Sequence, residues 1–311
     1  MRLVFAGTPA LALPALDALV GAGHEVAAVL TRPPAARGRS GKLRPSPVQE
    51  WAEARGVEVL VPRSAQDPAL AARLAELAPD CCPVVAYGGL IPEPLLQIPP
   101  LGWINLHFSL LPAYRGAAPV QHALLNGETV TGATTFRLVP ALDAGPVFRR
   151  LTVPVGPRVT AGELLDELAG RGAALLVETL AAAAAGEEPE PQPAGPVSLA
   201  PKIEPADVRL DWTRPASALD RLVRAANPEP GAWTTAAGQR LRILRAEPVD
   251  AAPGPAPTPP GRLAIGKKEV LVTTGAGHLR LLEVVPAGKR AMPAPDWARG
   301  LRQTAPAELG R

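Results

Sequence analysis

Cysteine is almost missing from this 311-residue chain: Cys81 and Cys82 stand side by side and are the only two. Neighbouring cysteines rarely bridge each other, so no disulfide framework is available, and a reducing compartment, the cytoplasm, is expected. Histidine is scarce as well, at four residues. With no CxxC pair and no histidine cluster, no metal site is expected. No stretch of about 20 apolar residues runs free of charge, which removes a membrane span. The opening, MRLVFAGTP, lacks a basic segment followed by a long apolar one, so no signal peptide is expected. Aromatic residues make up 4% of the chain. A Gly-X-Y period is absent despite 39 prolines, which therefore read as turns and linkers. A GxGxxG fingerprint is absent too. The first strand runs into AGTP, which argues against a dinucleotide site but leaves a helix start able to face an anion.

What is present is a two-part charge pattern. Residues 1–205 hold 16 Lys and Arg against 19 Asp and Glu, and residues 206–311 hold 16 against 10. A mildly acidic front and a basic back suggest two modules, the second one suited to a polyanion. The front half alternates short apolar runs with helical periodicity: RLVFA, a leucine-spaced helix, then GHEVAAVLT. This βαβ opening wants a parallel sheet. Residues 32–47, RPPAARGRSGKLRPSP, interrupt it with a loop of five basic residues and no acid. ALAARLAELAPD places Leu70, Leu74 and Leu77 on one helical stripe. CCPVVAYG and WINLHF read as buried strands, and ELLDELAGRGAALLVETLAAAAAG as a long helix ending at Gly186. Residues 187–206 read as a proline-rich extended linker. Beyond them one helix precedes short strands with glycine turns, the pattern of a small antiparallel barrel, with a mobile insertion at 250–261. The expected architecture is α/β: a Rossmann-like parallel-sheet domain over 1–186, a linker over 187–206, and an OB-like barrel over 207–311. No coiled coil or exposed sticky edge is legible, and a monomer is expected.

Three polar side chains need explaining. Asn105 and His107 lie two apart on one strand, so they point the same way. That strand is expected to be central and parallel, and open α/β sheets build sites at the carboxyl ends of such strands. Asp143, in the glycine-flanked LDAG loop after the next strand, is placed to meet the imidazole. A carboxylate beside a histidine favours the charged ring. An amide and an imidazolium aimed at one carbonyl oxygen stabilise an oxyanion, and a carboxylate–histidine pair can take a proton from an attacking amine. None of the three is a strong nucleophile, which points to direct acyl transfer to an amine. Two alternatives stay open on spacing alone. His107 can be a satisfied core residue. Ser109 on the same face can pair with it as a hydrolase, although no GxSxG elbow is present.

Longer segments carry a resemblance. MRLVFAGTP, LRPSPV, VVAYGGLIP, INLHFSLLPAYRGAAPVQHALLNG and LDAGPV resemble the folate-dependent formyltransferases. APKIEPADVRLDWTRPASALDRLVRAANPEPGAW and VVPAGKRAM are similar to the branch that formylates methionyl-tRNA. The resemblance implies a catalytic trio of Asn105, His107 and Asp143. It implies a folate site at Tyr87, Gly88, Leu90 and Ile91 together with Ser109, Leu110, Leu111 and Pro112. It also implies 10-formyltetrahydrofolate as donor, initiator Met-tRNA as acceptor and no metal. The basic loop, through Arg37, Arg39, Lys42 and Arg44, would then reach the tRNA acceptor stem, and the barrel would bind tRNA.

Overall fold

The computed structural model describes residues 1–36, 41–62, 64, 67–249, 259–301 and 308–310. The chain divides into two compact units. One holds Met1–Pro119, Val130–Pro154 and Leu165–Pro201. The other holds Val120–Thr129, Val155–Leu164 and Lys202–Arg311.

The first unit is built around a sheet. In chain order the elements are β1 (Arg2–Gly7), α1 (Leu13–Gly21), β2 (Glu25–Leu30), β3 (Ala35–Ala36), β4 (Leu43–Arg44), α2 (Pro47–Glu53), β5 (Glu58–Leu60) and α3 (Pro68–Leu77). Then come β6 (Cys82–Val85), α4 (Glu93–Leu96), β7 (Trp103–His107), β8 (Val130–Arg137), β9 (Val147–Pro154) and α6 (Ala161–Ala184), whereas α5 (Pro119–Asn126), between β7 and β8, falls but for Pro119 in the second unit, as does the first turn of α6. The seven-stranded sheet has the order β5-β2-β1-β6-β7-β8-β9. Leu3, Val4, Phe5 and Ala6 of β1 are fully buried, as a strand covered on both faces requires. The strands from β5 to β7 run parallel, while β8 and β9 are antiparallel to their neighbours. β7 is thus central, but parallel on one side only. The apolar pattern of a buried strand carries no information about its direction, so a sequence reading cannot see this junction.

Local chemistry sets the element ends. Pro47 opens α2, and its N-cap Ser46 accepts a hydrogen bond from the Gln49 amide at 3.0 Å. The buried Ser46 hydroxyl also meets Thr31 Oγ1 at 2.7 Å, which ties together the two ends of the basic loop. Asp67 caps α3, whose Leu70, Leu74 and Leu77 are buried as their spacing predicts.

One face of β7 is closed by α6. Gly172 lies so near Leu106 that a methyl group there would come within 2.9 Å of Leu106 Cδ2, and Thr135 meets Thr179 at 2.7 Å. Gly170, two residues earlier, is exposed with nothing within 4 Å of a would-be Cβ. Gly170→Ala is expected to raise stability by about 0.5–1 kcal/mol, since a helical glycine carries an entropic cost that alanine does not. Gly172→Ala is expected to lower it, and denaturant unfolding of the two variants side by side reads the difference.

The second unit carries α7 (Ala216–Ala226), β10 (Trp233–Ala236), β11 (Gln239–Val249), β12 (Leu263–Ile265), β13 (Val270–Thr273), β14 (His278–Pro286), β15 (Met292–Pro293) and α8 (Ala294–Arg299). Its strands form an antiparallel sheet in the order β10-β11-β14-β13-β12, with β15 on β14, an OB-like half-barrel. Register shifts around Arg245 bend β11 against β14. Leu241, Ile243, Val270, Val272, Leu279, Leu281 and Val284 alternate inward and pack with Leu219, Leu222 and Val223 of α7. Each fully buried leucine here is worth about 2–3 kcal/mol. Most of the 250–261 insertion, residues 250–258, lies outside the described residues.

Candidate active site

Asn105 and His107 share the face of β7 opposite α6, as their spacing requires. The ring of His107 is buried, with 6% exposure. It stands edge-on to Phe136, with ring centroids 6.3 Å apart. Its Nε2 lies 2.9 Å from the Tyr114 carbonyl oxygen. A carbonyl only accepts, so Nε2 carries the proton. In the neutral ring, Nδ1 then holds the lone pair, and it faces Asp143 Oδ2 at 3.8 Å. That distance is an electrostatic approach rather than a hydrogen bond. Oδ2 instead accepts from the Gly116 amide at 2.7 Å.

The charge state differs from the sequence expectation. Burial pushes the His107 pKa below its ordinary 6.5, and the Asp143 charge and the Tyr114 carbonyl, which act in the other direction, do not overcome it. Desolvation of a charged ring outweighs one carboxylate at nearly 4 Å. The resting ring is neutral at pH 7, an acceptor through Nδ1. Asn105 is half-buried, and its side chain makes no hydrogen bond among the described residues. The arrangement therefore offers an uncommitted amide donor beside a proton acceptor whose positive form would lie between a carboxylate and a carbonyl.

The turn after β7 is held tightly. Thr134, opposite His107 on β8, donates to the Ser109 carbonyl at 2.6 Å, and its oxygen accepts from the Leu111 amide at 3.2 Å. Ser109 Oγ is fully buried and donates to the Ala113 carbonyl at 2.6 Å. That hydroxyl is thereby committed to the turn, not to the histidine, which removes the support for a Ser-His pair. Leu110 and Pro112 are half-buried, and Leu111 is buried. Tyr87, Gly88, Leu90 and Ile91 follow β6, the parallel neighbour of β7, so both loops leave the same edge of the sheet. Thr8 donates to the Tyr87 carbonyl at 2.8 Å. Tyr87 is buried, whereas Gly88 is open and Leu90 is 75% exposed.

Of the basic loop, Lys42 and Arg44 are exposed and form no ion pair among the described residues. Arg44 lies on β4, paired with Ala35 of β3. Arg37 and Arg39 lie outside the described residues. Cys81 and Cys82 are buried in the sheet. Desolvation pushes the Cys81 thiol up to about 12 and Cys82 well above its usual value, so neither offers a thiolate. No group of three or more His, Cys, Asp or Glu side chains among the described residues is arranged to hold a metal ion. No helix among them is long and apolar enough to cross a membrane.

Three partners of the trio, Tyr114, Gly116 and Gln192, escape sequence reasoning, as does Ser198, which bonds Tyr114. Gly116 has φ +125°, and a Cβ there would sit 2.7 Å from the Ala200 carbonyl, so only glycine lets the two backbones meet. Ser198 Oγ accepts from the Tyr114 amide at 2.8 Å. Gln192 Nε2 donates to the Asp143 carbonyl at 2.7 Å and to the Gly145 carbonyl at 3.0 Å. Residues 190–200 form no helix or strand and bend at Ala194–Gly195. They are nevertheless laid against the site, through bridges from Glu190 to Val147 and from Leu199 to Arg115. In sequence, Gln192 and Ser198 fall in the proline-rich stretch 187–206, which reads as a linker.

A Rossmann-like sheet and an OB-like unit in one chain are the architecture of a formyl transferase. Residues 1–180 match the formyl transferase sequence family, and residues 202–302 match the formyl transferase C-terminal domain. Methionyl-tRNA formyltransferase of Thermobifida fusca is 56% identical over 303 residues, covering 97% of each chain. That of Streptomyces coelicolor is 54% identical over the full length of both. The chain belongs to the methionyl-tRNA formyltransferase family. Among solved structures, HypX from Aquifex aeolicus in complex with tetrahydrofolic acid shares the fold. Its TM-score is 0.67 at 19% identity, over 98% of this chain and 48% of that one. An N-formyltransferase from Helicobacter canadensis aligns with a TM-score of 0.63 at 15% identity, over 90% and 98% of the two chains.

Proposed function

We propose that this chain transfers the formyl group of 10-formyltetrahydrofolate to the amino group of methionine on initiator Met-tRNA. The observation that carries the mechanism is the buried, neutral His107 facing Asp143, beside the unengaged amide of Asn105. In this reading the amine attacks the formyl carbon, and the carbonyl oxygen becomes an oxyanion that accepts from Asn105 Nδ2. The attacking nitrogen gives its proton to His107 Nδ1. The imidazolium so formed is stabilised by the Asp143 charge and keeps its bond to the Tyr114 carbonyl. Collapse of the tetrahedral centre breaks the carbon–nitrogen bond to the folate, whose nitrogen takes the proton held by His107 and leaves, which returns the ring to its neutral state. No covalent enzyme intermediate is needed.

The folate is assigned to the two loops at the shared sheet edge. Main-chain groups around Tyr87, Gly88, Leu90 and Ile91 would meet the pterin, with Ser109, Leu110, Leu111 and Pro112 shaping the floor. The exposed side chain of Leu90 is apolar surface that a flat ring would cover. Residues 1–186 form the catalytic part in this assignment, 187–206 the link, and 207–311 the tRNA-binding part. Arg37, Arg39, Lys42 and Arg44 are assigned to the acceptor stem. On the second unit Arg240 lies 4.5 Å from the Trp233 ring centroid and Arg209 lies 5.5 Å from it, a cationic and aromatic surface of the kind that suits RNA. A cytoplasmic monomer completes the reading.

The test is formyl transfer from 10-formyltetrahydrofolate to methionine-charged initiator tRNA, with charged elongator tRNA and free methionine as controls. Transfer to the initiator alone is the expected result. Transfer to a small amine instead, with none to tRNA, would reassign the acceptor. Lys42→Ala with Arg44→Ala is expected to weaken tRNA binding and to reduce the log-log salt slope of the affinity by about two, about one for each phosphate no longer neutralised.

A further inference from the structure

We propose that Gln192 is a positioning residue for formyl transfer: with Ser198 it braces Asp143 and Tyr114 against the two sides of the His107 ring. The proposal rests on the reading of the site given above. Neither residue touches His107, and both come from a segment that the chemistry leaves without a role.

Both ends of the side-chain amide of Gln192 are engaged. Its two N–H groups go to the carbonyls of Asp143 and Gly145, at 2.7 and 3.0 Å, and its oxygen accepts from Arg115 Nη2 at 2.6 Å. Only this orientation places donors against carbonyls and the acceptor against a guanidinium. Gln192 thereby links two turns that meet at one carboxylate, because Gly116, next to Arg115, donates its amide to Asp143 Oδ2. The link falls where the backbone needs it. Asp143 has φ +46°, a left-handed conformation that aspartate adopts more readily than most residues but still at some cost, so the bonds that hold the turn favour it. Ser198 does the parallel task on the other side of the ring. It accepts from the Tyr114 amide, and the Tyr114 carbonyl holds Nε2. Main-chain bonds fix the brace itself: Arg115 N to Ser198 O at 2.9 Å, Ala200 N to Arg115 O at 2.7 Å, and Glu190 N to Val147 O at 2.9 Å.

A merely structural contact and a positioning contact predict different things. If Gln192 only holds the chain together, its loss acts independently of Asp143. If it works through Asp143, its loss matters only while Asp143 is there to be placed.

The experiment is a double-mutant cycle of Gln192→Ala and Asp143→Asn, with Gln192→Glu as a variant of matched size that lacks both N–H donors. Gln192→Ala is expected to lower kcat about tenfold to a hundredfold, the scale of a misplacement of about 1 Å, with KM for both substrates within about twofold. In the Asp143→Asn background the same change is expected to lower kcat less than about threefold. A second readout needs no substrate. Histidine-labelled protein has only four imidazoles to assign, and Asp143 is the charged group facing His107 among the described residues. Gln192→Ala should move the His107 ring resonances, and the pH at which they titrate, in the direction Asp143→Asn does, with no further movement in the double variant. Multiplicative kcat losses, an effect confined to KM, or unchanged His107 resonances in folded Gln192→Ala and Gln192→Glu proteins would each overturn the proposal. Wild-type protein that transfers no formyl group would overturn the functional reading instead, and the resonances would still decide the brace.

Discussion

Asp143→Asn is expected to lower kcat for formyl transfer by about 10²- to 10⁴-fold, the range for loss of a proton-transfer partner. The side chain keeps its size, and the Gly116 amide keeps an oxygen acceptor, so the loop should hold. What is lost is the charge 3.8 Å from Nδ1. That charge acts to raise the His107 pKa against the larger effect of burial. Removing it makes protonation of the ring, and so acceptance of the amine proton, harder. Two results follow. The plateau of kcat drops, and its acid limb moves to lower pH, because a ring that binds protons less readily stays neutral further into acid. Stopped-flow or quench measurements of kcat from pH 5 to 9 check both. A variant that keeps more than about a third of wild-type kcat would remove Asp143 from the proton path. The same lowered pKa has a stability consequence. The unfolded chain binds a proton on His107 near its ordinary 6.5, while the folded chain resists it. Stability from this residue is therefore full above that value and declines as pH falls from about 6.5 through the folded pKa.

Gly145→Ala is expected to be the most damaging single methyl group in the site. A Cβ at this position would lie 1.7 Å from the Arg137 carbonyl oxygen and 3.3 Å from the Phe136 ring. The clash is with backbone, which cannot rotate away, and Arg137 N also donates to the Pro146 carbonyl at 2.9 Å. The loop must open or the end of β8 must shift. The expected cost is about 3 kcal/mol, the upper end for overpacking. Because Asp143 lies two residues away, kcat should fall with it. Thermal unfolding checks the first effect and steady-state transfer the second. Gly170→Ala, with open space around it, is the control in which the same added methyl stabilises.

Much of this protein was legible without coordinates. A continuous apolar run marks β1, which is covered on both faces, and a period of 3.6 marks α3, α6 and α7, because burial on one face of a helix leaves its spacing in the sequence. Two polar residues at i and i+2 in an apolar strand mark the site, because such residues cost free energy in a core and need a reason. Asn105 and His107 stand out for that reason, Asp143 for its place in a glycine-flanked loop after the next strand, and longer motifs added the family and its substrates.

The tertiary structure decided what depends on chain segments meeting from far apart. The pattern of β7 does not record that β8 returns antiparallel, since an apolar run reads the same in either direction. The charge of His107 does not follow from having a carboxylate nearby. It follows from the balance between a 3.8 Å approach and nearly complete burial, and both are set in space. Gln192 and Ser198 sit in a proline-rich stretch that composition marks as a link. Their hydrogen bonds cross 49 and 84 positions of sequence. A side-chain amide looks the same in sequence whether it meets water or two backbone carbonyls, and only the fold of this chain turns that stretch into the wall of its site.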